Sequence, residues 1–151
     1  MHIEKIPPYQ IAIVCLAMAW LGHGFIPEKV HFNYDHHGLG LLVLAVGLAV
    51  KLWTRVLTRR VPALQGEGSR GFLTSGPFEW SRNPGYLGVT LILAGVAFYF
   101  GSLVMFFAPF AFFMTANRVF IPLEEAVLEK IHGEHYLEYK NRVSRWISLV
   151  P

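Results

Sequence analysis

Four long apolar runs divide the chain: Tyr9 to Ile26, Gly38 to Leu57, Gly85 to Phe100 and Leu103 to Ile121. Each lies near the ~17 to 25 residues that a helix needs to cross a hydrocarbon core. His23 interrupts the first run, and Pro109 with dense phenylalanine marks the fourth. The Gly101-Ser102 turn is tight, so the third and fourth runs predict an antiparallel helical hairpin. Lys51 and Arg55 fall near the end of the second run, where their alkyl stems let the charges reach the headgroups. Pro27 to His37 reads as a polar connector. Thr58 to Arg82, the longest polar stretch, holds Arg59, Arg60, Arg70 and Arg82 among glycines and predicts an irregular loop.

After Pro122 the period changes. Leu123, Val127, Leu128 and Ile131 recur at helical spacing with Glu124, Glu125, Glu129 and Lys130 between them, which predicts an amphipathic helix. Gly133 ends or bends it. A second short helix follows, with Tyr136, Tyr139 and Val143 on one face, Lys140, Arg142 and Arg145 mainly elsewhere, and Trp146 as an interfacial anchor. A tail that simply lies along the headgroups is the plainer alternative.

Composition agrees with this pattern. Of 151 residues, 54% are hydrophobic and only 15% charged, against about a quarter charged in soluble domains. The expected fold is all-α: an integral membrane helical bundle of about four transmembrane helices plus C-terminal interfacial amphipathic helices, in one domain over 1–151. The net charge of +3 could suggest nucleic acid, but the basic residues flank apolar runs, and membrane topology accounts for them. The second connector and the tail carry most lysines and arginines, the first connector carries Lys29, and the Gly101-Ser102 turn carries none. Both termini are therefore expected in the cytoplasm, with a prokaryotic inner membrane as the default location. Ala17-Met18-Ala19 superficially resembles a cleavage site, but the apolar stretch before it begins only at Ile11, so an uncleaved anchor is expected. The single Cys15 cannot form an internal disulfide.

Polar chemistry concentrates in two places. From Gly76 to Gly88 the chain reads Gly-Pro-Phe-Glu-Trp-Ser-Arg-Asn-Pro-Gly-Tyr-Leu-Gly. Pro77 and Pro84 disfavour helix at the residues before them, so Phe78 to Asn83 is expected to be short and irregular, with Asn83 as N-cap and Pro84 as the first helical residue. Arg118, Glu124 and Glu125 form the second cluster, where the fourth run emerges. Hairpin geometry brings Arg82, Asn83 and Tyr86 beside them, giving a polar, aromatic pocket at one membrane surface. Mutual neutralisation of arginines and carboxylates is the simpler alternative. Glu129, His132 and His135 recur at spacings of three, and His31, His36 and His37 share the first connector. Gly133 breaks the first set and topology separates the two, so no metal is expected. His132 and His135 are read as interfacial or pocket-lining.

In sequence order, Gly76-Pro77-Phe78, Arg82-Asn83-Pro84-Gly85-Tyr86-Leu87-Gly88, Arg118 through Ile121-Pro122-Leu123-Glu124-Glu125, Gly133-Glu134-His135-Tyr136, Tyr139 and Val143-Ser144-Arg145-Trp146 resemble the isoprenylcysteine carboxyl methyltransferase and phospholipid methyltransferase family over about 73–146. The resemblance implies a membrane methyltransferase that takes S-adenosylmethionine as cofactor and a lipophilic acceptor as partner. It assigns cofactor contacts to Arg82, Asn83, Pro84, Tyr86, Leu87, Gly88, Glu125, His135, Tyr136 and Tyr139. Arg118, Glu124 and Glu125 become the catalytic candidates, with Arg118 orienting the two carboxylates. Asn83 stands where the family usually has histidine, and His132 where phenylalanine is usual. Asparagine can still donate and accept hydrogen bonds, but it cannot transfer a proton as imidazole does. An NADPH-dependent membrane reductase related to sterol reductases, and a noncatalytic lipid-binding protein, are the rival readings.

Overall fold

In the computed structural model, which describes residues 7–25, 37–64 and 73–148, the described residues are helical and contain no strand. The helices are α1 (Pro8–Gly24), α2 (His37–Leu64), α3 (Pro84–Phe100), α4 (Phe107–Thr115), α5 (Ile121–His132) and α6 (Glu134–Arg142). One-turn 3₁₀ segments lie at Gly76–Glu79 and Leu103–Phe106. A π-turn at Ala116–Phe120 carries α4 into α5 without a break, so Leu103–His132 is a single 30-residue rod.

That continuity corrects the expected boundary at Ile121-Pro122. Pro122 follows directly on the π-turn, where the loosened hydrogen-bond ladder tolerates a residue with no N–H. α2 likewise continues past Leu57 to Leu64, taking the first residues of the expected loop into helix. The remainder of that loop's first part, 65–72, and the first connector at 27–36, with His31 and His36, lie outside the described residues.

Among the described residues, two helices are long and apolar enough to cross a bilayer: His37–Arg59, of 23 residues, and Leu103–His132. The apolar α3 and the helix α1 have 17 residues each and rise only about 26 Å, short of a ~30 Å hydrocarbon core. Large apolar side chains are nevertheless exposed along α1 and α2, among them Ile13, Val14, Leu41, Leu42, Leu52 and Trp53. Such a contiguous surface calls for an apolar surrounding.

α2 and α3 form the closest pair, and glycine is the reason. Gly40 and Gly47 lie two turns apart on α2, as do Gly88 and Gly95 on α3. A Cβ on Gly40 would meet the Tyr99 backbone nitrogen at 2.5 Å, one on Gly95 the Leu44 nitrogen at 2.5 Å, and one on Gly47 the Ile92 nitrogen at 2.7 Å. The two backbones touch directly, as small-residue seams between membrane helices allow. The pairing is antiparallel, which sets Lys51 beside Gly88 and Gly85 at the N-terminal end of α3.

α3 also packs on α4, and α1 packs on α4 and the 3₁₀ turn before it. Their shared core is built from Ala12, Ala19, Leu93, Ala97, Met105, Ala108, Phe112 and Ala116. Gly101, at φ 59, makes the tight α3 to α4 turn expected from the sequence. Gly133, also at positive φ, stops α5, and α6 then folds back with Tyr136, Tyr139 and Val143 buried together against Leu128.

Candidate functional site

The segment before α3 is fixed by the tail. The Arg82 N–H donates to the Ser144 carbonyl at 3.1 Å and the Ser148 N–H to the Trp80 carbonyl at 2.6 Å. Asn83 Nδ2 donates to the Arg145 carbonyl at 3.2 Å, and the Ser81 hydroxyl donates to the same oxygen at 3.4 Å. Asn83 occupies the N-cap position of α3, its carbonyl accepting from the Tyr86 and Leu87 N–H groups, but its side chain makes no cap bond. The Arg145 carbonyl draws that side chain away. Phe78 is held too, by the Tyr139 hydroxyl, which donates to its carbonyl at 2.7 Å.

This clip closes over Glu125, which is only 3% exposed. Arg82 Nη2 lies 3.2 Å from Oε1, and Arg145 Nη2 lies 2.8 Å from Oε2 with its Nε 3.3 Å from Oε1. Lys140 Nζ is 3.8 Å from Oε2 and also pairs with Glu129. Arg82 Nη1 donates to the Lys140 carbonyl. A buried carboxylate is tolerable only when its lone pairs are met in this way. The charge of Glu125 reaches Tyr136, whose phenol is pushed up to about 12, first by burial and then by that negative charge. Burial also raises the Tyr139 phenol, with Tyr136 adding to it.

Glu124, one residue earlier, is exposed and faces a different environment. Its Oε1 accepts the Tyr86 hydroxyl at 2.6 Å. Both line a cleft of about 280 Å³ whose other walls are Lys51, Gly85, Val89, Phe112 and the Pro8-Tyr9 end of α1. Its size is at the lower edge of small-molecule sites, about 300 Å³ upward. The Tyr86 ring is stacked 6.3 Å from Phe120 and lies 6.3 Å from Phe112, so the hydroxyl is presented from an aromatic wall. A cation, a carboxylate and a phenol thus converge on one small, otherwise apolar space.

The expected meeting of the Arg82 and Glu124-Glu125 clusters is present, but it divides into two compartments. Arg82, Asn83 and Glu125 belong to the buried knot. Tyr86 and Glu124 belong to the cleft. Pro84 is buried at the head of α3, Leu87 is half-buried, and Gly88 lies against the α2 backbone, where a Cβ would meet the Gly47 carbonyl at 3.0 Å. Tyr136 and Tyr139 form the buried face of α6 beside the knot. His135 is exposed on α6 and does not line the cleft.

Arg118 does not orient the carboxylates. It is exposed, and the described ion pairs of Glu125 are made by Arg82, Lys140 and Arg145. In an unbroken α-helix a residue shares its face with the one seven positions on. A π-turn inserts about one residue, so two turns then span about eight. That shift puts Asn117, in place of Arg118, on the face of Glu125. Asn117 Oδ1 accepts from Arg145 Nη1 at 3.3 Å and from the Trp146 indole N–H at 3.1 Å. Asn117, Lys140 and Arg145 are thus knot residues that the motif reading left without a role. Lys51, read as a headgroup anchor, is a cleft residue. No signal in the sequence marks the π-turn; Arg145 and Lys51 carried only the hint of a charge next to an apolar face.

Two comparisons bear on this arrangement. The family profile described as phospholipid methyltransferase matches residues 36–135. An uncharacterized protein of Haemophilus influenzae is 32% identical over 62 residues, which cover 41% of this chain and 98% of that protein.

Proposed function

The chain belongs to the phospholipid methyltransferase family, and from that premise we propose that it moves a methyl group from S-adenosylmethionine to a lipophilic acceptor at a membrane surface. The observation that carries the reading is the cleft in which the Glu124 carboxylate and the Tyr86 hydroxyl meet at 2.6 Å against an aromatic wall. The cofactor supplies an electrophilic methyl on a sulfonium cation. Carboxylates and aromatic faces stabilise such a cation, and the cleft provides both. Glu124 holds the positive charge, Tyr86 fixes the carboxylate's orientation, and Val89 and Phe112 exclude water. The buried knot on Glu125 keeps the clip closed, which holds Tyr86 and Glu124 at the same depth. Displacement chemistry asks little more of a protein than alignment and dryness.

In this reading α1 and α3 are shorter spans flanking the two long ones, which gives the four-span bundle with both termini on the cytoplasmic side. The test is calorimetric titration of the detergent-purified protein with S-adenosylhomocysteine, and in parallel with NADPH. Micromolar binding of the first alone is expected; S-adenosylmethionine, which carries the sulfonium that the thioether of S-adenosylhomocysteine lacks, should be weakened about tenfold in Glu124→Gln through loss of one charge-assisted contact, while S-adenosylhomocysteine changes little. Binding of NADPH alone would move the chain to reduction.

A further inference from the structure

Lys51 is the residue of the cleft that the proposed chemistry leaves unused. It stands on α2, inside the apolar span His37–Arg59, and its ammonium is half-buried. Its ammonium donates one long hydrogen bond, 3.4 Å to the Gly85 carbonyl. Among the described residues no carboxylate forms an ion pair with it. An ammonium kept in an apolar span at this cost, beside a cavity, is a functional position by default. The glycine seam explains why it cannot turn away: Gly88 and Gly85 bring α3 directly against the backbone and side chain of Lys51.

We propose that Lys51 selects the acceptor by charge, binding a singly anionic head group, carboxylate or thiolate, of an amphiphile whose chain enters between α1 and α2. This rests on the methyl-transfer reading given above. The cleft holds one cation, Lys51, and one carboxylate, Glu124. A sulfonium uses the carboxylate, and an anionic acceptor uses the cation, so the two ligands and the two side chains neutralise one another. An anionic acceptor also needs no base: its lone pair forms the new bond to the methyl carbon, the carbon–sulfur bond breaks, and that pair stays on sulfur. An ammonium acceptor would first have to lose a proton. Glu125 cannot accept it, being enclosed by Arg82, Lys140 and Arg145, and Glu124 cannot serve as counter-ion and base together. Chain entry follows from packing. α1 rests on α4 and the turn before it, whereas its contact with α2 is marginal at most. Tyr9 and Lys51 therefore line one cleft from helices that do not pack together.

The experiment uses the full chain in phosphatidylcholine nanodiscs, with a fluorescent dodecanoate analogue displaced by dodecanoate, dodecanethiol or dodecylamine. Dodecanoate or dodecanethiol is expected to compete roughly tenfold or more better than dodecylamine, and the stronger of the two identifies the head group. Lys51→Met should erase that preference and Lys51→Arg retain it, with S-adenosylhomocysteine affinity changing far less than dodecanoate affinity in Lys51→Met. Equal competition by dodecylamine, displacement by phosphatidylethanolamine nanodiscs, or a preference that survives Lys51→Met would overturn the proposal. So would loss of S-adenosylhomocysteine affinity in Lys51→Met matching the loss of the anion, which would put Lys51 on the cofactor. If wild type shows the anion preference but binds no S-adenosylhomocysteine, the anion site stands and the methyl-transfer reading falls.

Discussion

The two ends of the α2–α3 pair are held together by opposite means. Along most of its length α3 meets α2 through glycine, backbone on backbone, with no polar side chain needed to hold the seam. At its N-terminal end the same helix is anchored by charge: Arg82 just before it, Glu125 on α5 and Arg145 in the tail, each more than fifteen residues from the next. Shape alone suffices where the surroundings are apolar and uniform. Where the chain leaves that environment, a site that must hold polar ligands needs directional contacts, and a buried ion cluster supplies direction at the cost of desolvation. The cleft lies where the two regimes meet, with Lys51 from the seam and Glu124 from the charged end.

The sharpest way to break the comparison is to remove the centre of the charged end. Glu125→Ala leaves Arg82, itself nearly buried, and Arg145 facing each other without an anion. The expected cost is about 3–5 kcal/mol, read as a fall in thermal unfolding temperature together with rapid proteolysis of the tail after α5. Glu125→Gln keeps the shape and some hydrogen bonds and should lose less. If Ala and Gln behave alike and the tail stays protected, charge is not what closes the clip.

A somewhat smaller effect is expected at the seam. Gly95→Ala places a methyl 2.5 Å from the Leu44 nitrogen, a contact that only helix separation relieves, for about 1–3 kcal/mol. Gly24→Ala, where nothing lies within 4 Å, is the matched control and should be near neutral. Because Lys51 is carried by the seam, Gly95→Ala should also alter ligand binding at the cleft, whereas a change confined to the knot's far side should not. Equal unfolding temperatures for the two glycine variants would remove the seam from the account.

These two regions also differ in how far the sequence discloses them. The hairpin turn at Gly101, the stop at Gly133 and the shared face of Tyr136, Tyr139 and Val143 are local patterns, and each has the form that periodicity predicts. Arg82 with Glu125 follows from the hairpin, since a tight turn forces its ends together. The glycines of α2 and α3 read singly as flexible positions; only the pairing of two helices turns them into a contact surface. Arg145 reaches Glu125 because α6 folds back, which depends on one positive φ at Gly133. The two helices long and apolar enough to cross a membrane are legible as apolar runs, whereas α1 and α3 fall short of that length.

Alkaline titration probes the charged end without mutation. Tyr136 is raised to about 12, first by burial and then by the negative charge of Glu125. The folded protein therefore retains a proton that the unfolded chain releases near pH 10, so stability is level below about pH 10 and falls from there to about pH 12. Tyr136→Phe should lessen that fall, leaving the part that the buried Tyr139 phenol contributes, measured by tail proteolysis or tyrosinate absorbance against pH. Gly95→Ala, which touches neither Tyr136 nor Glu125, should keep the alkaline slope of wild type over that range.

The smallest expected effects test the register that the π-turn imposes. Asn117 Oδ1 accepts from both Arg145 and Trp146, so Asn117→Ala leaves a guanidinium and an indole N–H short of a partner. Trp146 then keeps its packing on Phe113, at 4.4 Å between rings, and on the core, but loses its polar anchor. The cost should be about 1–2 kcal/mol, with the tail loosened. Arg118, next in sequence and larger in charge, is exposed, and Arg118→Ala should stay within about 0.5 kcal/mol. An unbroken α-helix would invert that order, because Arg118 would then share the face of Glu125. A measured loss for Arg118→Ala exceeding that for Asn117→Ala would therefore mean that the helix runs through residues 116–120 without the extra residue, and that the knot is assembled from a different set of side chains.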